Sequence, residues 1–122
     1  MYFPADLWLR AFALTVLVEL PIVAYLLRRL EPDRVRLVVL ILFANLATHP
    51  AVWFIFTQPF LVGTPAYYLA AESWAVVAET VFYWAAFRGL AVRRAFLVAL
   101  GANAASFLVG EVLAAAWPGL FS

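Results

Sequence analysis

The sequence predicts an all-α polytopic membrane protein, four transmembrane helices arranged as two tandem helical hairpins in parallel repeat. Three observations predict this. First, the mean hydropathy is +1.00, and of 122 residues 68% are hydrophobic and only 12% charged, a balance that a soluble domain of this size does not carry. Second, four apolar runs, at about 7–27, 37–57, 66–87 and 95–117, each approach the roughly 20 residues that a helix needs to cross a hydrocarbon core. Third, the rare polar residues recur in the same order in the two halves of the chain.

The first run carries Thr15 and Glu19 one turn apart, followed by Pro21, whose missing N–H leaves the Leu17 carbonyl without its helical donor. Its flanks, Asp6 before it and Leu27-Arg28-Arg29-Leu30 after it, do not read as a cleaved signal peptide. Glu31-Pro32-Asp33 reads as a tight turn that opens helix 2 at Pro32 or Asp33. Helix 2 then places Asn45, Thr48 and His49, the only histidine, on one stripe, and Pro50 frees the Leu46 carbonyl beside them. Gln58-Pro59 closes that helix, and Thr64-Pro65 supplies an N-cap and first residue for helix 3. Helix 3 sets Glu72 and Glu79 seven residues apart on one face, about 10.5 Å along the axis. Helix 4, after Gly89, aligns Asn103, Ser106 and Gly110, and Trp117-Pro118-Gly119 ends it.

The proposed repeat spans about 7–57 and 66–117 within a single domain of residues 1–122. It pairs Glu19 with Glu79, Arg28 with Arg88, Arg36 with Arg94, Asn45 with Asn103 and Thr48 with Ser106. His49, Glu72, Pro21 and Pro50 have no counterpart. Because each hairpin crosses twice, the halves share one orientation, related by a pseudo-twofold axis along the membrane normal.

All eight basic residues are arginines, and seven of them (Arg28, Arg29, Arg34, Arg36, Arg88, Arg93, Arg94) lie in the two connections after helices 1 and 3. The positive-inside rule makes those connections cytoplasmic and puts both termini and the central loop outside. The expected location is the bacterial inner membrane, with the lipid bilayer as the principal partner. Net charge of +1 and the absence of cysteine argue against nucleic acid, disulfides and thiolate chemistry. Counting from the arginines at about 1.5 Å per residue puts Glu19, Asn45, Glu79 and Asn103 in one layer about 13–14 Å deep. Thr48, His49 and Ser106 fall about 5 Å further out, and Glu72 and Glu111 further still, level with Arg10.

Ionisable groups at that depth cost about 2.5–3.5 kcal/mol each on insertion scales and therefore turn to the bundle interior. Two functions compete for them. In one, Glu19, Asn45, Thr48, His49, Glu72, Glu79, Asn103 and Ser106 form the binding and proton site of a proton- or cation-coupled transporter or channel component, with Glu79, His49 and Glu72 as a ladder. In the other the same groups are interhelical glue in a non-catalytic assembly subunit. An enzyme is the least supported reading, since no Ser-His-Asp, phosphate-binding, dinucleotide or HExxH signature is present. No cofactor is expected. A metal, if bound, would take His49, Glu72 and Glu79, and an axial pigment ligand has no supporting motif. The bundle's small size leaves a homodimer or larger membrane complex open.

The stretch Asn45-Leu-Ala-Thr48-His49-Pro50, with Glu72, Glu79 and the Asn103-Ala-Ala-Ser106 echo, resembles an uncharacterised group of small four-span bacterial membrane proteins, a likeness that brings no activity with it. In length and in having a helix-1 glutamate, Glu19, the chain is also similar in architecture to small multidrug resistance transporters. Its Leu17-Val18-Glu19-Leu20-Pro21 departs from their helix-1 pattern.

Overall fold

A computed structural model describes residues 5–59 and 61–121. It contains four helices: α1 Ala5–Leu27, α2 Arg34–Phe54, α3 Pro65–Ala86 and α4 Val92–Ala116. Three of them, α1, α2 and α4, are long and apolar enough to cross a membrane. The fourth, α3, has 22 residues but carries Glu72 and Glu79 near its middle and is not among them.

The helix starts follow local chemistry. Asp33 caps α2, its carboxylate accepting from Val35 N at 3.0 Å and Arg36 N at 3.2 Å, which satisfies two otherwise unpaired donors. Thr64 caps α3 ahead of Pro65 and accepts from Tyr67 N at 3.3 Å. Both α2 and α4 begin several residues before the apolar runs do, because a helix tolerates arginine in its first turns where a hydropathy window does not. The end of α2 departs from expectation: it stops at Phe54, three residues short of Thr57. Beyond it the chain loosens into turns, with Phe56 N reaching back to Ala51 O at 3.1 Å and Gln58 N to Ile55 O at 3.1 Å. Pro59 disfavours helical backbone at Gln58. By contrast α1 runs unbroken through Pro21 and α2 through Pro50.

Packing forms a ring in which α1 touches α2 and α4, α3 touches α2 and α4, and neither diagonal pair meets. Paired contacts such as Arg94 to Leu26 and Ser106 to Glu19, or Trp74 to Thr48 and Tyr67 to Val52, show neighbouring helices running antiparallel. The two ends of the ring differ. Toward the arginine-rich turns the interior is filled by one apolar cluster that includes Val23, Leu27, Leu37, Ile41, Tyr83, Phe87 and Ala99. Small alanines on α4, Ala95, Ala99 and Ala102, all fully buried, let it approach its neighbours closely. Large apolar side chains such as Leu17, Leu69 and Val112 face outward, 73%, 72% and 67% exposed.

Candidate functional site

The polar residues meet where that cluster ends. Glu19 on α1 and Glu79 on α3 are 0% and 1% exposed, and Asn45 and Asn103 are 1% and 5% exposed. Asn103 Nδ2 donates to Glu79 Oε2 at 2.7 Å and to Ala99 O at 2.9 Å. The Thr48 hydroxyl lies 3.2 Å from Glu79 Oε1 and within 3.1 Å of Ala44 O. The Ser106 hydroxyl donates toward Glu19 Oε1 at 2.7 Å, with Asn103 O as its alternative acceptor at 3.0 Å. These contacts thread α2, α3, α4 and α1 into one chain of polar groups through the middle of the bundle. Each buried contact of this kind stabilises by about 0.5–1.5 kcal/mol.

The accounting leaves three deeply buried atoms over: Glu19 Oε2, Asn45 Oδ1 and Tyr83 Oη have no hydrogen-bond partner. Asn45 Nδ2 donates to Ile41 O at 3.1 Å and lies beside Glu19 without closing a bond as short as the one from Asn103 to Glu79. Buried polar atoms without a partner are uncommon and costly, about 1–3 kcal/mol each.

Above this layer the bundle is hollow. A cavity of about 850 Å³ extends from it toward the end of the bundle opposite the arginine-rich turns. Glu19, Thr48, Glu79 and Asn103 are its deepest lining residues on their four helices, and no member of the apolar cluster lines it. It is therefore a vestibule with a floor and not a passage. Thr48, His49, Glu72, Ser106 and Glu111 line it as well, whereas Asn45 lies outside the lining. The walls owe their space to small side chains, Ala71 and Ala75 on α3 and Gly110 on α4, and their character to aromatic ones, Trp53, Tyr67, Tyr68 and Phe107. Sequence reasoning missed this wall. The signal for part of it was there, since Ala71, Ala75 and Glu79 follow one another at four-residue spacing on a single face of α3.

His49 faces α1. Its Nε2 lies 3.5 Å from Thr15 Oγ1, its Nδ1 has no partner, and its ring sits among Phe12, Trp8 and Trp53 at centroid distances of 5.3, 6.2 and 6.5 Å. It shares the cavity with Glu72 and Glu79 without a hydrogen bond to either. Among the described residues no three acidic or histidine side chains come together as a metal would require. Arg10, which the depth estimate set beside Glu72 and Glu111, donates instead to Leu120 O at 3.2 Å. Among the described residues the one ion pair is Arg36 with Glu31, 3.2 Å apart at the opposite end.

Fold and site together define a helical bundle with an apolar exterior and a buried, carboxyl-bearing polar floor beneath a one-ended cavity. No protein-family model, curated protein or solved structure matches the chain.

Proposed function

We propose that the protein is a four-span carrier of the bacterial inner membrane that couples a proton or cation to a ligand bound in the vestibule, with Glu19 and Glu79 as the exchanging groups. The observation that carries this reading is the closed floor: two buried carboxyls sit at the bottom of a cavity whose lining runs away from the apolar cluster around Tyr83 and Ile41 and includes no member of it. A channel needs a continuous path, while a carrier needs a site exposed to one side at a time. Two acidic groups buried without an arginine beside them are stable only with a proton or a cation for company. Under this reading α3 is the fourth span, its two glutamates shielded by its neighbours, and the arginine-rich turns lie in the cytoplasm with the vestibule opening outward.

Structural glue is the second reading, favoured by the hydrogen bonds from Asn103 and Ser106 onto the two glutamates. Proteoliposomes loaded with a pH-sensitive dye separate the two. Carrier activity predicts a proton flux that Glu79→Gln abolishes although the variant folds, because a glutamine accepts from Asn103 with its carbonyl and donates to Thr48 Oγ1 with its amide. Equal flux through wild type and variant overturns the carrier reading.

A further inference from the structure

We propose that the ligand is a protonated primary amine carried on an apolar body, its ammonium group against Glu19 at the cavity floor and its body among Tyr67, Tyr68 and Phe107 nearer the mouth. The inference rests on the carrier reading and names its substrate class.

The sign of charge comes from the lining. Glu19, Glu72, Glu79 and Glu111 face the cavity and no arginine does, so the field inside favours a cation and disfavours an anion. The requirement for N–H groups comes from the floor. Glu79 already receives the Asn103 amide on one oxygen and has the Thr48 hydroxyl at the other, but Glu19 Oε2, at the cavity floor on a side chain that is 0% exposed, with the Asn45 amide beside it, closes no hydrogen bond of regular geometry, and the ligand's ammonium group meets it only where the floor side chains give way. An ammonium group brings three donors to such an acceptor, and a charge-assisted bond there is about twice as strong as a neutral one. A quaternary ammonium has none to bring.

The apolar body follows from size and surface. A cavity of about 850 Å³ lies within the range of roughly 300–1,000 Å³ found for small-molecule sites, far above the ≈30 Å³ that one water occupies. A bare sodium ion at Glu19 would leave most of it unused. Tyr68 and Phe107 meet edge to face at 5.6 Å and Tyr67 meets Tyr68 at 5.4 Å, a pre-formed aromatic wall that takes an alkyl or aryl group with little reordering.

The test is equilibrium binding of radiolabelled 2-phenylethylamine to the detergent-purified full chain, with three competitors: 2-phenylethanol, the N,N,N-trimethyl derivative and sodium chloride. The expected result is saturable amine binding, with the alcohol and the trimethyl compound each at least tenfold weaker and sodium without effect beyond ionic strength. Glu19→Gln, which keeps an acceptor for Ser106 and puts an amide donor where Oε2 stands, weakens binding at least tenfold with an unchanged melting temperature. Competition by the trimethyl compound or the alcohol equal to that of the amine overturns the assignment, as does wild-type affinity in Glu19→Gln. Should that variant not fold, the competition series on wild type decides alone. Amine binding without proton flux keeps this inference and removes the carrier reading; proton flux without amine binding does the reverse.

Discussion

Glu19 and Glu79 are both sealed from solvent, yet they are held unequally: Glu79 receives Asn103 at 2.7 Å and has Thr48 at 3.2 Å, whereas Glu19 receives Ser106 at 2.7 Å and has the Asn45 amide beside it without a bond of regular geometry to Oε2. The difference traces to the two asparagines. Both donate to the carbonyl one turn back on their own helix, Asn45 to Ile41 and Asn103 to Ala99, but only Asn103 also closes a short hydrogen bond onto a carboxyl, while the Asn45 amide stands beside Glu19 without one.

Truncating the asparagines therefore gives unequal costs. Asn103→Ala strips a donor from Glu79 in a site with no water-exposed alternative, and is expected to destabilise the bundle by about 1–3 kcal/mol. Asn45→Ala removes one bond to a backbone carbonyl that the helix already satisfies, together with an unpartnered carbonyl, and is expected to cost under about 1 kcal/mol. Unfolding of the purified protein in mixed micelles by titrated denaturing detergent measures both. Equal losses would show that the two amides carry equal weight and that the asymmetry of the floor has no energetic content.

The end of α2 makes a second case. The last regular bond runs from Ile55 N to Ala51 O at 2.9 Å; beyond it Phe56 N also reaches Ala51 O, at 3.1 Å, and the Val52 carbonyl accepts from the Tyr67 hydroxyl at 3.2 Å. An α3 side chain thus caps α2 at the cavity wall. Tyr67→Phe leaves that carbonyl unpaired and is expected to cost about 1 kcal/mol, with faster amide exchange confined to residues 53–57. Exchange unchanged in that segment, read by mass spectrometry, would mean that the cap does not hold the helix end.

Topology is open to direct measurement because the chain has no cysteine. Single cysteines at Arg29 and Arg88, in the two arginine-rich turns, and at Val62, in the connection between α2 and α3 and 61% exposed, report sidedness with an impermeant maleimide on intact cells. Only Val62→Cys is expected to label from outside. Labelling of Arg88→Cys together with Val62→Cys would place α3 outside the bilayer and end the four-span reading.

The architecture was largely written in local chemistry. Asp33 and Thr64-Pro65 announce their helix starts because capping is decided by a few adjacent residues. The polar floor was legible too, since few residues tolerate burial in an apolar bundle and those that do must face inward; Glu19, Thr48, Glu79, Asn103 and Ser106 do meet. Two features escaped. The end of α2 is met by Tyr67 from another helix, and the hollow depends on how Ala71, Ala75 and Gly110 sit opposite one another, relations between helices that periodicity within one does not contain. The orientation of His49 toward Thr15 and Phe12 is of the same kind: depth along the helix was readable, the partner across the gap was not.

Gly110 separates the hollow from the bundle that surrounds it. A Cβ built there meets only Leu14 Cδ2, at 3.7 Å, an ordinary van der Waals distance. Gly110→Ala therefore fits without displacement and gains the helix preference of alanine over glycine, about 0.5–1 kcal/mol. Gly110→Phe extends further into the cavity that Gly110 lines, past the small side chains that keep it open, and fills the space assigned in our proposal to the apolar body of an amine. The expected pattern is a melting temperature at or above that of wild type for Gly110→Ala with amine binding retained, and a folded Gly110→Phe whose binding is lost. Full binding in a folded Gly110→Phe, measured by the same equilibrium assay, would show that the ligand does not use this cavity.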